Sequence, residues 1–234
     1  MTGTMFHLMA ALAVFVGTHF LLSHPLRRPL VGAIGERAFL GLYSVVAIAT
    51  LVWVYFAFRA APVGQFLWSP GDELWALATA LMFVASVLLV GSLIGNPALP
   101  DPTGRPVTTP PARGVFAITR HPMMWSFAIW AAVHFMISPR PAVFLVSVAV
   151  IVLAIGGAAG QDAKKKRLTG EAWRDWARRT AFVPFAGQIT GRIPWAGSWP
   201  GRIALVGGTL VWLAATWAHP WLGAPVAGVW RWVG

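Results

Sequence analysis

Cysteine is absent from all 234 residues of the sequence. Without thiols the chain has no disulfides, thiolate metal sites, iron–sulfur clusters or cysteine nucleophile. Carboxylates are also scarce, with seven Asp and Glu against 18 Lys and Arg. All seven are predicted to lie outside the apolar segments described below. The sequence therefore argues against a paired-carboxylate hydrolytic site or a carboxylate proton relay within a membrane.

What the sequence has in abundance is apolar residues. Hydrophobic residues make up 57% of the chain, charged residues make up 11%, and the mean hydropathy is +0.67. These values are typical of a polytopic membrane protein. About 20 apolar residues are needed to cross a bilayer as a helix. The sequence therefore predicts an all-α membrane helix bundle, a single domain over residues 1–234, with about six spans at roughly 5–22, 38–58, 74–94, 115 or 122 to 137, 142–160 and 203–217.

Two connections between these spans carry distinct patterns. Repeated prolines between residues 95 and 114 predict a loop, because proline cannot continue a helix. After the fifth span, Trp173 and Trp176 recur at helical spacing among several arginines. That pattern predicts a short amphipathic helix over residues 169–182 that lies in the membrane interface.

The basic residues report the orientation of the chain. All Lys and Arg except Arg59, Arg140 and Arg231 fall in the connections after spans one, three and five. By the positive-inside rule these connections face the cytoplasm, and both termini face outside. The net charge of +11 is thereby explained by contact with the lipid bilayer, and no nucleic-acid partner is needed.

The six histidines are the remaining candidates for chemistry. His24 and His219 each precede a proline just beyond a span, and we interpret both as headgroup contacts. His19 and His134 lie inside apolar sequence, where an imidazole needs a partner or a metal. Neutral imidazoles on facing helices can hold an iron porphyrin. His121 and His134 are about 20 Å apart along one helix, so a single porphyrin cannot take both.

Three motifs carry a family resemblance: "GTHFLLSHPLRRPLVGAIGERAFLGLYS", "ITRHPMMWSFAIWAAVHF" and "GEAWRDWARRTAFVPFAG". In this order they resemble the NnrU family, which is associated by name with denitrification and nitric oxide metabolism. The family is also similar to plant 15-cis-zeta-carotene isomerases, which use a b-type haem. The expected location is a bacterial inner membrane, and the expected partner is a hydrophobic small molecule or a diatomic gas.

The resemblance implies a haem b protein that is a redox-dependent cis–trans isomerase or a factor in denitrification or nitric oxide metabolism. It points to His19 and His134 as the axial ligands of the iron, with Arg120 among the cofactor-binding residues. On the predicted boundaries these two histidines lie about 16 Å apart along the membrane normal. His121 matches the depth of His19 better and is the rival ligand.

A second resemblance is to membrane S-adenosylmethionine-dependent methyltransferases of the isoprenylcysteine carboxyl methyltransferase type. It rests on Arg120-His121-Pro122 and on the later Gly-x-x-Trp-x-x-Trp run. The paired glutamates of those enzymes are replaced here by Gln161-Asp162. The alternative cofactor site would therefore consist of Arg120, His121 and Asp162, and the acceptor would be a small thiol or a lipid-borne group. A third alternative is a non-enzymatic accessory to respiratory enzymes.

Overall fold

The computed structural model describes residues 2–98, 109 and 111–233. Within these residues the chain forms α-helices joined by turns, with two short 3₁₀ turns at Trp195–Ser198 and Pro220–Leu222. The helices are α1 (Thr2–Ser23), α2 (Arg27–Ile34), α3 (Glu36–Ala60), α4 (Asp72–Ser92), α5 (Val115–Ile118), α6 (Pro122–Ile137), α7 (Pro141–Thr169), α8 (Glu171–Arg179), α9 (Ala186–Ile189), α10 (Arg202–Ala218) and α11 (Trp230–Val233).

Five of these helices, α1, α3, α4, α7 and α10, are long and apolar enough to cross a membrane. The helix in the place of the predicted fourth span, α6, is apolar but has only 16 residues. Its length is about 24 Å, which is somewhat less than the hydrocarbon thickness of a bilayer. The predicted helical membrane bundle is confirmed, with α6 as its shortest member.

The long helices pack side by side in the order α3–α1–α7–α6–α4–α10. Chain neighbours pair as α1 with α3 and as α6 with α7, whereas α4 lies between α6 and α10. Close approach of α10 to α4 depends on glycine, since a Cβ atom at Gly208 would lie 2.7 Å from the Cα atom of Val87. Small residues of this kind let membrane helices pack closely.

A loop over residues 61–71 connects α3 to α4 and crosses the turn between α6 and α7. The Leu67 amide donates to the Pro139 carbonyl at 2.8 Å, and the Trp68 indole donates to the Met136 carbonyl at 3.0 Å. The guanidinium of Arg140 lies 4.4 Å above the Phe66 ring. These contacts hold the helix row together at this end. We call the end where α1, α4 and α7 finish the basic end. We call the other end, which carries the loop over residues 61–71, the opposite end.

The region after the fifth span differs from the prediction. Helix α7 continues to Thr169, and the following helix, α8, is shorter than the predicted 169–182. Trp173 and Trp176 are 2% and 0% exposed and pack among core residues that include Leu88 and Phe116. The apolar face of this helix therefore packs on the protein, and its location in the membrane interface stays a prediction. An amphipathic stripe fits a protein core as well as it fits a bilayer surface, and the sequence pattern does not distinguish the two.

The fourth span was predicted to begin at residue 115 or at residue 122, and the structure contains both starts. Val115–Ile118 forms one helical turn, Thr119 is extended, and α6 then begins with Pro122 in its first turn. Proline costs little there, because the first-turn amides have no acceptor within the helix. The break between α5 and α6 turns residues 119–121 toward neighbouring helices. Of the predicted 95–114 loop, residues 99–108 and 110 lie outside the described residues.

Candidate functional site

The break before α6 brings Arg120 and His121 against Asp162 of α7 at the basic end. Arg120 Nε lies 3.1 and 2.9 Å from the two carboxylate oxygens of Asp162, and Arg120 Nη2 lies 2.5 Å from Oδ2. His121 Nε2 lies 2.8 Å from Oδ1 of the same carboxylate. The side chains of Arg120, His121 and Asp162 are 13%, 0% and 22% exposed. Three polar groups that would be costly alone in a membrane thus satisfy one another.

Asp162 lies on α7, which continues as a helix past the predicted end of its span at residue 160. The structure does bring Arg120, His121 and Asp162 together, as expected for the alternative cofactor site. Both oxygens of Asp162 are already engaged, so a cofactor amino group would have to displace Arg120 or His121.

The segment that follows α8 holds this cluster in place. The Arg120 amide donates to the Ala181 carbonyl at 2.8 Å, and the Thr119 hydroxyl donates to the Phe182 carbonyl at 2.6 Å. The ring of Phe182 lies 5.3 Å from the Arg120 guanidinium and 5.3 Å from the His121 ring. Sequence reasoning missed Phe182, because its contacts are made more than 60 residues away along the chain.

Hydrogen bonding fixes the tautomer of His121. An ionised carboxylate only accepts hydrogen bonds, so the neutral imidazole carries its proton on Nε2 and leaves a lone pair on Nδ1. Nδ1 is buried and has no hydrogen-bond partner among the described residues. His121 also lines a small cavity together with Asn96, Ala98, Met123, Met124 and Gln161. The cavity has room for about one water molecule. As it stands, this cavity does not fit a porphyrin.

His19 and His134, the pair implied by the family resemblance, lie at different levels of the bundle. The residue after His19 packs on Gly156 of α7, and the residue after His134 packs on Phe144 of the same helix. Gly156 and Phe144 are 12 residues apart, which corresponds to about 18 Å along the helix axis. A single iron cannot span that distance, so these two residues do not fit one haem as a pair.

The structure instead places His134 beside His219, at the opposite end of the bundle. The two ring centroids are 6.1 Å apart. Nδ1 of His134 donates to the Trp130 carbonyl at 2.7 Å, and the imidazole of His219 hydrogen-bonds the Pro225 carbonyl. The interpretation of His219 as a headgroup contact missed this pairing. No local motif could have revealed it, because it depends on α6 and α10 both packing on α4.

His19 has a different environment near the basic end. Its Nδ1 donates to the Phe15 carbonyl at 2.7 Å, and its ring meets the edge of the Tyr43 ring at 5.5 Å. His19 therefore contacts α1 and α3. A hydrogen bond from Nδ1 to a carbonyl leaves Nε2 as the nitrogen that can bind a metal, at His19 as at His134.

In the described part of the chain, no three His, Asp or Glu side chains are grouped so that they could hold a metal ion. A metal held by the His134–His219 pair would have to bring its other ligands with it. Metal–imidazole bonds are about 2 Å long. Because each ring centroid lies about 1 Å beyond its nitrogen, two imidazoles that held one metal would have centroids up to about 6 Å apart. The observed separation agrees with this value.

A helical bundle with five helices long and apolar enough to cross a membrane defines a polytopic membrane protein. The family model described as NnrU protein matches residues 7–226. The chain therefore belongs to the NnrU family.

A curated relative is the 15-cis-zeta-carotene isomerase, chloroplastic, of Zea mays. The two sequences are 32% identical over 114 residues, which cover 47% of this chain and 31% of the maize protein. The match thus spans about a third of the relative's length. No solved structure matches the chain significantly.

Proposed function

We propose that this NnrU protein is a b-type haem protein of the bacterial inner membrane that isomerises a double bond in a lipophilic polyene. The observation that carries the proposal is the His134–His219 pair, whose 6.1 Å ring separation would let both imidazoles hold one iron. The proposal replaces the pair His19 and His134, since the residues next to them contact α7 at positions about 18 Å apart along its axis. His134 belongs to both pairs.

Backbone carbonyls and an aromatic ring of the chain orient these two histidines. The Trp130 and Pro225 carbonyls each engage one ring nitrogen, which orients the imidazole and leaves the other nitrogen available. The ring of Trp130 lies 4.2 Å from that of His134 and supplies an aromatic wall beside it. When bound, the haem would supply a redox-active iron that can interact with a polyene or a diatomic gas.

The substrate class comes from the relative's name and from the surface of the bundle. The maize protein is named an isomerase of 15-cis-zeta-carotene, an apolar polyene. Large hydrophobic side chains face outward on α6 and α10 near the histidine pair, among them Phe127, Trp130 and Trp217. A polyene dissolved in the bilayer would reach His134 and His219 from the side, without crossing water. On the proposed orientation the basic end faces the cytoplasm, and both chain termini and this pair face outside.

Absorbance spectra of the purified protein, oxidised and reduced, test the haem proposal. We expect a Soret band in the wild type that is lost or shifted in both His134→Ala and His219→Ala. His7→Ala is the matched control, because His7 lies at the same end and is bound by the Trp53 indole at 2.9 Å. Retention of the band in His219→Ala together with its loss in His19→Ala would restore the pair implied by the resemblance. Colourless protein from haem-supplied cells would remove the haem proposal altogether.

Catalysis is tested separately with the haem-loaded protein in liposomes that contain 15-cis-zeta-carotene. We expect reduction to start a conversion that chromatography detects, and His134→Ala to abolish it. A red protein that leaves the polyene unchanged but shifts its spectrum with nitric oxide would instead support the nitric oxide role that the family name suggests.

Methyl transfer is the second candidate, and the contact of Arg120, His121 and Asp162 is the observation that favours it. The engagement of both Asp162 oxygens makes it the weaker of the two. Calorimetric titration with S-adenosylmethionine tests it. Heat of binding that disappears in His121→Gln would support methyl transfer over isomerisation.

A further inference from the structure

A notch at the basic end lies where the turn after α1 meets α7. The ring of His24 sits directly on Gly160, since a Cβ atom at Gly160 would lie 2.3 Å from His24 Nε2. Lys164 and Arg167 follow at four and seven residues, which places them on the same face of α7 as Gly160. We call His24, Gly160, Lys164 and Arg167 the His24 notch.

Positive charge exceeds negative charge around this notch. Arg27 pairs with Glu36 at 2.5 Å, and both of these charges also act on Lys164. Lys164 therefore feels the positive charges of Arg27 and Lys165 against the single carboxylate of Glu36. Lys164 and Arg167 in turn both act on His24. Like charges held together in a partly buried place repel one another, so an added anion would stabilise the arrangement.

The pKa of His24 is sensitive to these positive charges. Burial lowers the pKa of its imidazole below the ordinary 6.5, and the positive charges of Lys164 and Arg167 lower it further. Near neutral pH the ring is therefore uncharged and can donate one hydrogen bond without adding to the repulsion.

We propose that the His24 notch binds the phosphate of one anionic phospholipid in the leaflet at the basic end. The depth agrees, because the notch lies where α1 ends at Ser23 and α3 begins at Glu36, at the level of the headgroups. Leu21, one turn before the end of α1 and therefore on the membrane side of the notch, is 50% exposed and offers a contact to an acyl chain. A lipid, unlike free phosphate, uses both the cations and this apolar surface.

Native mass spectrometry of the full chain, delipidated in detergent and exposed to phosphatidylglycerol or phosphatidylcholine, tests the proposal. We expect one retained phosphatidylglycerol. The double variant Lys164→Gln with Arg167→Gln should weaken that binding by about 30-fold, from the usual contribution of two basic residues near a membrane. The matched control, Lys166→Gln with Arg178→Gln, removes the same charge from exposed positions and should change binding only a fewfold.

Equal losses in the two double variants would overturn the proposal, because they would show diffuse attraction without a site. Displacement of the lipid by inorganic phosphate at equal concentration would overturn it in favour of a free-phosphate site. If the notch variant does not fold, NMR of the labelled wild type decides the question. Phosphatidylglycerol should raise the pKa of His24, and an unchanged His24 titration would contradict lipid binding in the notch.

Discussion

Replacing Asp162 by asparagine removes the only negative charge in the Arg120–His121–Asp162 cluster while keeping the shape of the side chain. Hydrogen bonds to charged groups contribute about 1.5 to 3 kcal/mol each, but these share one carboxylate and do not add. Leaving one buried charge without its partner costs about 3 to 5 kcal/mol. Asp162 and Arg120 retain 22% and 13% side-chain exposure, which favours the lower limit. We expect Asp162→Asn to lower the free energy of unfolding by about 3 kcal/mol.

Unfolding of the purified protein in detergent, followed by circular dichroism against denaturant, measures this change. Asp175→Asn is the control, because Asp175 pairs with Arg178 and Arg179 on the exposed side of α8, where such pairs contribute about 0 to 1 kcal/mol. Adding Arg120→Gln to Asp162→Asn should recover part of the loss, since it removes the unpaired charge. If Asp162→Asn costs no more than Asp175→Asn, the cluster does not stabilise the bundle and the reasoning is refuted.

Three further predictions use the same unfolding assay. Gly208→Ala should cost about 1 to 3 kcal/mol because its new methyl group meets the backbone of Val87, whereas Gly157→Ala, with open space around it, should be neutral or slightly stabilising. Trp176→Ala should cost about 3 to 5 kcal/mol, and strong quenching of Trp176 fluorescence by brominated lipid would contradict its burial in protein. Because the folded-state pKa of His24 is lowered, stability should be unaffected above pH 6.5 and should fall as the pH drops below it. His24→Gln should reduce this acid sensitivity, and a wild type as stable at pH 5 as at pH 7.5 would contradict it.

Much of the helical framework could be predicted from the sequence, because lipid demands long apolar runs with all amides bonded internally. The second span, predicted at 38–58, is observed as Glu36–Ala60. The sequence did not reveal the lateral order of the helices. Apolar faces that contact lipid and apolar faces that contact protein have the same composition, and for this reason the burial of Trp173 and Trp176 against the protein could not be read from the sequence.

The candidate site, like the fold, could be predicted from the sequence only in part. The grouping of Arg120, His121 and Asp162 could be anticipated from a motif with defined spacing. The approach of His219 to His134 could not, because it arises only when α6 and α10 pack on the two sides of α4. Counting residues along the predicted helices did indicate that His19 and His134 lie at different depths in the membrane. It could not supply the replacement partner.

The position of α4 between α6 and α10 has a consequence for biogenesis. During synthesis α1 and α3 can pair as soon as both have left the ribosome, but α4 is inserted before either of its neighbours exists. It must remain in the lipid without a protein partner, and its only acidic residues, Asp72 and Glu73, lie in its first turn. The loop over residues 61–71 can make its contacts only after the turn between α6 and α7 has formed. The order in which the helices enter the bilayer is thus different from the order in which the bundle is assembled.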